Sequence, residues 1–320
     1  MTLAVGEAGT PRILIIGTGF GGLCMGIRLK QAGIESFTLL EKAESLGGTW
    51  RDNEYPGAAC DVQSHLYSFS FQKNPRWSRM FAKQGEILAY LECCADKYRL
   101  RPHIRYGAEV TAARFDEQRN VWTVELANGE RLEADLVVSA TGGLSRPTYP
   151  DIPGIGTFEG KLFHSARWDH AHDFRGKTVG VIGTGASAIQ FVPAIAETVG
   201  ELHLFQRTPP WVLPKPDRAI SRAEQWLFGV VPFLQWLYRI LLYWLLELRV
   251  LGFVVHPKLM AYPERIARGY LERSVPDPVL REKLTPRYTI GCKRILMSND
   301  YFQAVQQPGV EVVTDGIREI

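Results

Sequence analysis

Two side chains of opposite charge stand at the same distance from two glycine-rich turns. Glu41 lies 24 residues beyond Gly17, and Arg207 lies 24 residues beyond Gly183. A carboxylate in this place accepts hydrogen bonds from both hydroxyls of an adenosine ribose, whereas a guanidinium grips a 2′-phosphate through paired N–H donors. The first position therefore suits NAD or the ADP half of FAD, and the second prefers NADPH over NADH. The turns themselves read Gly17-Thr-Gly19-Phe-Gly-Gly22 and Gly183-Thr-Gly185-Ala-Ser187-Ala188. In the first, Gly17 permits a tight turn, Gly19 lets backbone N–H groups reach a pyrophosphate, and Gly22 allows close helix–strand packing. In the second, alanine takes the third glycine place, an accepted variation, and Ser187 and Thr208 join the expected cofactor contacts.

Turns of this kind work only between a strand and a helix. The apolar run Arg12–Ile16 leads into the first turn, a helical stretch from Leu23 to Gln31 follows, Gly33 stops it, and a strand Phe37–Leu40 ends at Glu41. The second turn has the same setting: strand Lys177–Ile182, a helix from about Ala188, then strand Glu201–Phe205. The fold class is therefore α/β, with two Rossmann-like dinucleotide-binding domains. FAD is favoured in the first by Gly47-Gly48-Thr49-Trp50, a pattern found after the second strand of many two-dinucleotide flavoproteins. The Ala140-Thr141-Gly142 turn that closes the strand after Asp135 points the same way. Between them a helix is expected over Gln84–Tyr98, and a three-stranded meander over Ala108–Leu132 with a hairpin at Asn128-Gly129. The proline-rich link Arg146–Gly154 cannot form regular structure. It sets the expected boundary, with an FAD domain over 1–146 and an NADP domain over 147–320 that carries a helical insertion at about 217–288.

Composition narrows the class further. At 320 residues, with 46% hydrophobic and 22% charged residues, the chain has ordinary globular content and room for two cores. A net charge of +3 with scattered basic residues argues against nucleic acid. The five cysteines form no C-x-x-C pair and no zinc spacing, so no metal site is expected, a disulfide reductase is disfavoured, and a reducing cytoplasm is the natural compartment. Met1 to Thr10 carries no secretory signal. The run Trp226–Val255 is densely apolar, but Pro232, Arg239, Glu247 and Arg249 interrupt it. A helical insertion packed within the protein is the expectation, with Arg239 near one end of a helix over Leu234–Leu251. Contact with a membrane surface, or a span, stays open.

Three further stretches go beyond a nucleotide fold. Phe158-Glu-Gly160-Lys-Leu-Phe-His164-Ser-Ala-Arg-Trp168-Asp169 fits F-x-G-x-x-x-H-x-x-x-W-[P/D] at every fixed position. Gly47-Gly48-Thr-Trp50 through Tyr55-Pro-Gly57 to Asp61 fits [A/G]-G-x-W-x(4)-[F/Y]-P-[G/M]-x(3)-D. Both resemble fingerprints of Baeyer–Villiger monooxygenases, and Lys293-Arg294 resembles the shorter K-R pair of that family. The resemblance implies FAD and NADPH as cofactors. It implies insertion of one oxygen atom of O2 into an apolar ketone, giving an ester or lactone. It assigns Arg294 to stabilise the negative charge that develops, Asp61 to orient Arg294 near the flavin, and Lys293 to help hold the NADP phosphate. His164 and Trp168 are expected beside the hinge between domains, coupling nicotinamide binding to movement. A flavin-containing monooxygenase of nitrogen or sulfur shares both turns and is the nearest alternative. An inactive nucleotide-binding remnant is the other, because family members continue past Ile320 into the FAD domain. The last residues, Val310–Ile320, read as strand, turn and the start of another strand, in a fragment or a natural truncation.

Overall fold

The computed structural model describes residues 10–320, so the reading of the N-terminus from Met1 falls outside the described residues. Two compact units divide the chain: residues up to 53 with 84–147, and residues 54–83 with 148–320. The segment 54–83, expected in the first domain, therefore belongs with the second unit. Its bonds explain why. Gln190 holds both backbone groups of Ala59, at 3.2 and 3.1 Å. Further along, Met80 N–H donates to the Arg218 carbonyl at 2.9 Å and Ile220 N–H to that of Ser78 at 2.9 Å.

The first unit comprises β1 (Ile13–Ile16), α1 (Phe20–Gln31), β2 (Phe37–Leu40), the short α2 (Thr49–Asp52), α3 (Gln84–Lys97), β3 (Ile104–Arg105), β4 (Val110–Asp116), β5 (Val121–Leu126), β6 (Arg131–Ala134) and β7 (Leu136–Ser139). A sheet of order β3-β2-β1-β7 forms its centre, with every pair parallel. This is the order and direction of a dinucleotide-binding half. Ile13, Leu14 and Ile15 are all buried, as a strand covered on both faces requires. The meander β4-β5-β6 is antiparallel, and its inward residues Val124, Leu126 and Leu132 pack with Leu14 and Leu40. Gly129, with φ of +84°, makes the turn between β5 and β6 as the Asn-Gly pair predicts.

The second unit comprises β8 (Thr178–Ile182), α4 (Ala188–Ala196), β9 (Glu201–Phe205), β10 (Val212–Leu213), α5 (Arg222–Val230), α6 (Pro232–Glu247), α7 (Ala261–Ser274), α8 (Pro278–Lys283), β11 (Leu296–Met297), α9 (Tyr301–Ala304) and β12 (Val310–Val313). Its parallel sheet has order β12-β9-β8, and β10 pairs in parallel with β11. Val192, Leu202, Leu204 and Val275 lie at the centre of its core. No second strand follows β12; the backbone N–H of Ile320 donates instead to the Pro153 carbonyl at 2.9 Å.

The apolar insertion meets its expectation in part. It is helical and packed along one face, where Phe228 and Leu242 are buried, but Trp226, Phe233, Trp236 and Trp244 are all exposed. Arg239, expected near a helix end, sits mid-helix and faces inward, its guanidinium donating to the carbonyls of His65 and Leu66 at 2.8 and 2.9 Å. Among the described residues no helix is long and apolar enough to cross a membrane.

Candidate functional site

In the first unit, Gly17 leaves β1 with φ of +103°, and a Cβ there would meet the Ala140 carbonyl oxygen at 2.6 Å. A Cβ on Gly22 would lie 1.9 Å from the Gly17 carbonyl oxygen, so α1 crosses the turn at backbone contact. Gly48, with φ of +53°, brings α2 up to Gly19, where an added Cβ would stand 3.0 Å from the Gly19 Cα. Gly19 is the N-cap of α1, and neither a side-chain cap nor an acidic residue in the first turn offsets the partial positive charge there. Thr49 and Trp50 open α2, and the Trp50 carbonyl accepts a hydrogen bond from the Gln84 side chain.

Glu41 follows β2, as its place in the sequence predicts, and is buried. Its Oε2 accepts from the Thr18 backbone N–H at 3.1 Å and hydroxyl at 2.5 Å. Its Oε1 accepts from the Ala43 N–H at 3.0 Å and pairs with the Arg51 guanidinium at 3.0 Å. A carboxylate offers about four lone-pair sites, so a ribose hydroxyl reaches Glu41 only by displacing the Thr18 hydroxyl or Arg51. Neither residue is singled out by the sequence pattern, because each acts through a fold contact.

In the second unit, Gly183 turns off β8 with φ of +99°, and its N–H donates to the Phe205 carbonyl at 2.9 Å. No Cβ contact crowds Gly183 or Gly185, so this turn is more open than the first. Ser187 is the N-cap of α4 without a side-chain cap bond. The Thr184 hydroxyl donates to the Thr208 carbonyl at 3.4 Å, which ties the turn to the end of β9. Arg207 is exposed there, and no side chain among the described residues engages its guanidinium.

Asp61 and Arg294, 233 residues apart in sequence, meet in this unit: the guanidinium donates to Asp61 Oδ2. Arg294 remains 61% exposed at its side chain against 27% for Asp61, so the cation is held yet accessible. Its neighbour Lys293 is exposed, with its ammonium 5.0 Å from the centre of the Tyr288 ring.

Tyr55 and Gly57 of the second motif, with Gln190, Lys215 and Asn299 outside the sequence reading, fix the Asp61 loop. Gly57, with φ of +81°, presses against α4, where a Cβ would meet the Gln190 carbonyl oxygen at 2.6 Å. The Tyr55 hydroxyl donates to Gln190 Oε1 at 3.0 Å, and the same hydroxyl reaches Ser187; burial pushes its pKa up. Lys215 donates to the Cys60 carbonyl at 3.1 Å, one residue before Asp61, and stands over the Phe81 ring. Burial lowers its pKa. Asn299, just after β11, grips Lys215 at both backbone groups, each at 2.8 Å. One lysine thus joins the strand that follows Arg294 to the loop that carries Asp61. A lone lysine between two prolines gives no sequence signal of that role.

The fingerprint stretch lies wholly in the second unit. Trp168 packs on Phe191 of α4 at 5.2 Å between centroids and on Phe163 at 5.3 Å. His164 Nδ1 accepts the Ala166 N–H at 3.1 Å, and burial lowers its pKa.

Two parallel nucleotide folds with these turns define a class, and the comparisons agree. The profile of the family described as pyridine nucleotide-disulphide oxidoreductase matches residues 14–223, and the chain belongs to that family. All five cysteines are free. Within this class the chain is a homologue of Baeyer–Villiger monooxygenases. It is 53% identical over 309 residues to the "Baeyer-Villiger monooxygenase" of Pseudomonas aeruginosa, covering 97% of this chain but 59% of that protein. The chain thus spans about three-fifths of that relative's length. Among solved structures, the open form of cyclohexanone monooxygenase superposes with a TM-score of 0.84 at 29% identity, covering 97% of this chain and 69% of that one. OTEMO in complex with FAD and NADP gives 0.82 at 30% identity, covering 98% and 66%.

Proposed function

We propose that this chain is the nucleotide-binding part of an FAD- and NADPH-dependent monooxygenase that inserts one oxygen atom of O2 into an apolar ketone. The observation that carries the reading is the Asp61–Arg294 pair. An exposed ion pair contributes at most about 1 kcal/mol to stability, so its convergence from distant parts of the sequence is better explained by chemistry than by folding. The names of the relative from Pseudomonas aeruginosa and of cyclohexanone monooxygenase support the same reaction, and the OTEMO complex supports both cofactors.

The residues fit the two dinucleotides. FAD would be held at the first turn, where glycines at 17, 22 and 48 leave no room for a Cβ and the uncapped start of α1 offers partial positive charge to a pyrophosphate. Gly19, Thr49 and Trp50 complete that wall, and Glu41 takes the ribose. NADPH takes the Gly183–Gly185 turn and the start of α4 at Ser187, with Thr208 beside it and Arg207 on the 2′-phosphate, helped by Lys293. When bound and reduced, FAD would supply the oxygen-activating chemistry. The protein's part is electrostatic. Arg294 presents a fixed cation to the negative charge that develops on the substrate, and Asp61 holds the guanidinium in place beforehand. Tyr55, Gln190 and Lys215 keep the Asp61 loop from drifting.

The test is the visible absorption spectrum of the purified chain, followed by addition of NADPH in air. Flavin bands that bleach with NADPH far faster than with NADH, and ester formation from a cyclic ketone, are the expected results. A chain that stays colourless with added FAD overturns the reading for these 320 residues. Oxidation confined to amines or sulfides would favour the flavin-containing alternative.

A further inference from the structure

α6 is apolar on both sides. Its inward stripe carries Leu242 together with Gln235 and Arg239, whereas Phe233, Trp236, Leu241 and Trp244 recur at helical spacing on the outer side. The inward side is well satisfied: Gln235 Nε2 donates to the Asn74 carbonyl at 2.8 Å and meets His65 Nδ1 at 3.0 Å. The outward apolar side is therefore not a helix rotated by mistake. Beyond the helix the chain makes one π turn, Leu251–Val255, in which Val254 and Val255 are 74% and 68% exposed. The charged residues flanking this tip are Arg249 before it and Lys258 after it, both exposed, with Glu247 the nearest acid.

We infer that this face seats on an anionic lipid surface, with the tip in the acyl boundary and the helix lying in the interface plane. An apolar wedge between two cations matches the layering of a bilayer, where phosphates lie just above the acyl chains. Trp and Tyr, here Trp226, Trp236, Tyr243 and Trp244, are the side chains that favour that boundary. The segment lies on the surface without spanning, in keeping with its helix lengths. The inference stands apart from the proposed reaction.

The whole chain is tested by co-sedimentation with vesicles of phosphatidylcholine alone and of phosphatidylcholine mixed with phosphatidylglycerol. It should pellet with the mixed vesicles, less so as salt rises, and its tryptophan emission should be quenched by brominated lipid. Arg249→Gln with Lys258→Gln should weaken binding roughly tenfold or more, and Val254→Ser with Val255→Ser should abolish it. Trp226→Phe with Trp236→Phe and Trp244→Phe keeps the face aromatic and apolar, so it should still bind while losing most of the quenching. A chain that stays in the supernatant with both vesicle types overturns the inference. So does a stable dimer whose tryptophan emission ignores the vesicles.

Discussion

Arg207 and Arg294 are both exposed cations that the sequence marks only by spacing and resemblance, Arg207 by its offset from Gly183 and Arg294 by its K-R pair. Their surroundings add to that. Arg207 lies just beyond a parallel strand that ends at Phe205, with no partner of its own side chain among the described residues. Arg207→Ala should raise KM for NADPH by about tenfold to a hundredfold, the worth of a charge-assisted pair, and leave KM for NADH nearly unchanged. Steady-state NADPH and NADH oxidation checks this directly. Arg294 is held by Asp61. Arg294→Ala should lower ester formation by about a hundredfold or more while NADPH still bleaches the flavin. The melting temperature should hardly move, because an exposed pair is worth little to the fold. A large drop in melting temperature would make the pair structural.

At the scale of elements, α4 and the Asp61 loop are one device. Gly57→Ala forces a Cβ to within 2.6 Å of a helix carbonyl at a φ of +81°. It should cost about 2 kcal/mol or more in chemical denaturation and loosen Asp61 with it. His65, which packs beneath α6, makes a second prediction. Burial holds its pKa down at about 4, against roughly 6.5 in an unfolded chain. The unfolded chain takes up a proton below about pH 6.5 and the folded one does not, so stability is complete above that pH. It is lost as pH falls toward 4, by about 1.4 kcal/mol per unit at the steepest. His65→Gln should flatten the melting temperature over that window; an unchanged slope would assign the loss to other groups.

The whole molecule divides differently from the order of its motifs. Residues 54–83 group with 148–320 although the prolines at Pro147, Pro150 and Pro153 mark the plainest break in the sequence. A piece ending at Pro147 should therefore leave amides of residues 58–82 unprotected in hydrogen exchange while those of β1, β2 and β7 stay protected. Protection of 58–82 in that piece would restore the boundary drawn from the prolines. Much was legible beforehand. Glycine at 17, 22 and 183, short apolar strand runs and the Asn128-Gly129 turn are local rules, written in the φ and packing that each residue allows, and so the two nucleotide folds and their parallel sheets could be read from sequence alone. The fingerprints named the family for the same reason, since their spacing is fixed along the chain. Tertiary structure alone decided the rest. The clamp of Lys215 on Cys60, the grip of Gln190 on Ala59 and the inward turn of Gln235 and Arg239 are contacts between residues more than a hundred positions apart. Side chains of ordinary type carry no mark of such a partner. Only the folded chain determines which face of an apolar helix is buried, because its few polar groups must find hydrogen bonds before its apolar ones find cover.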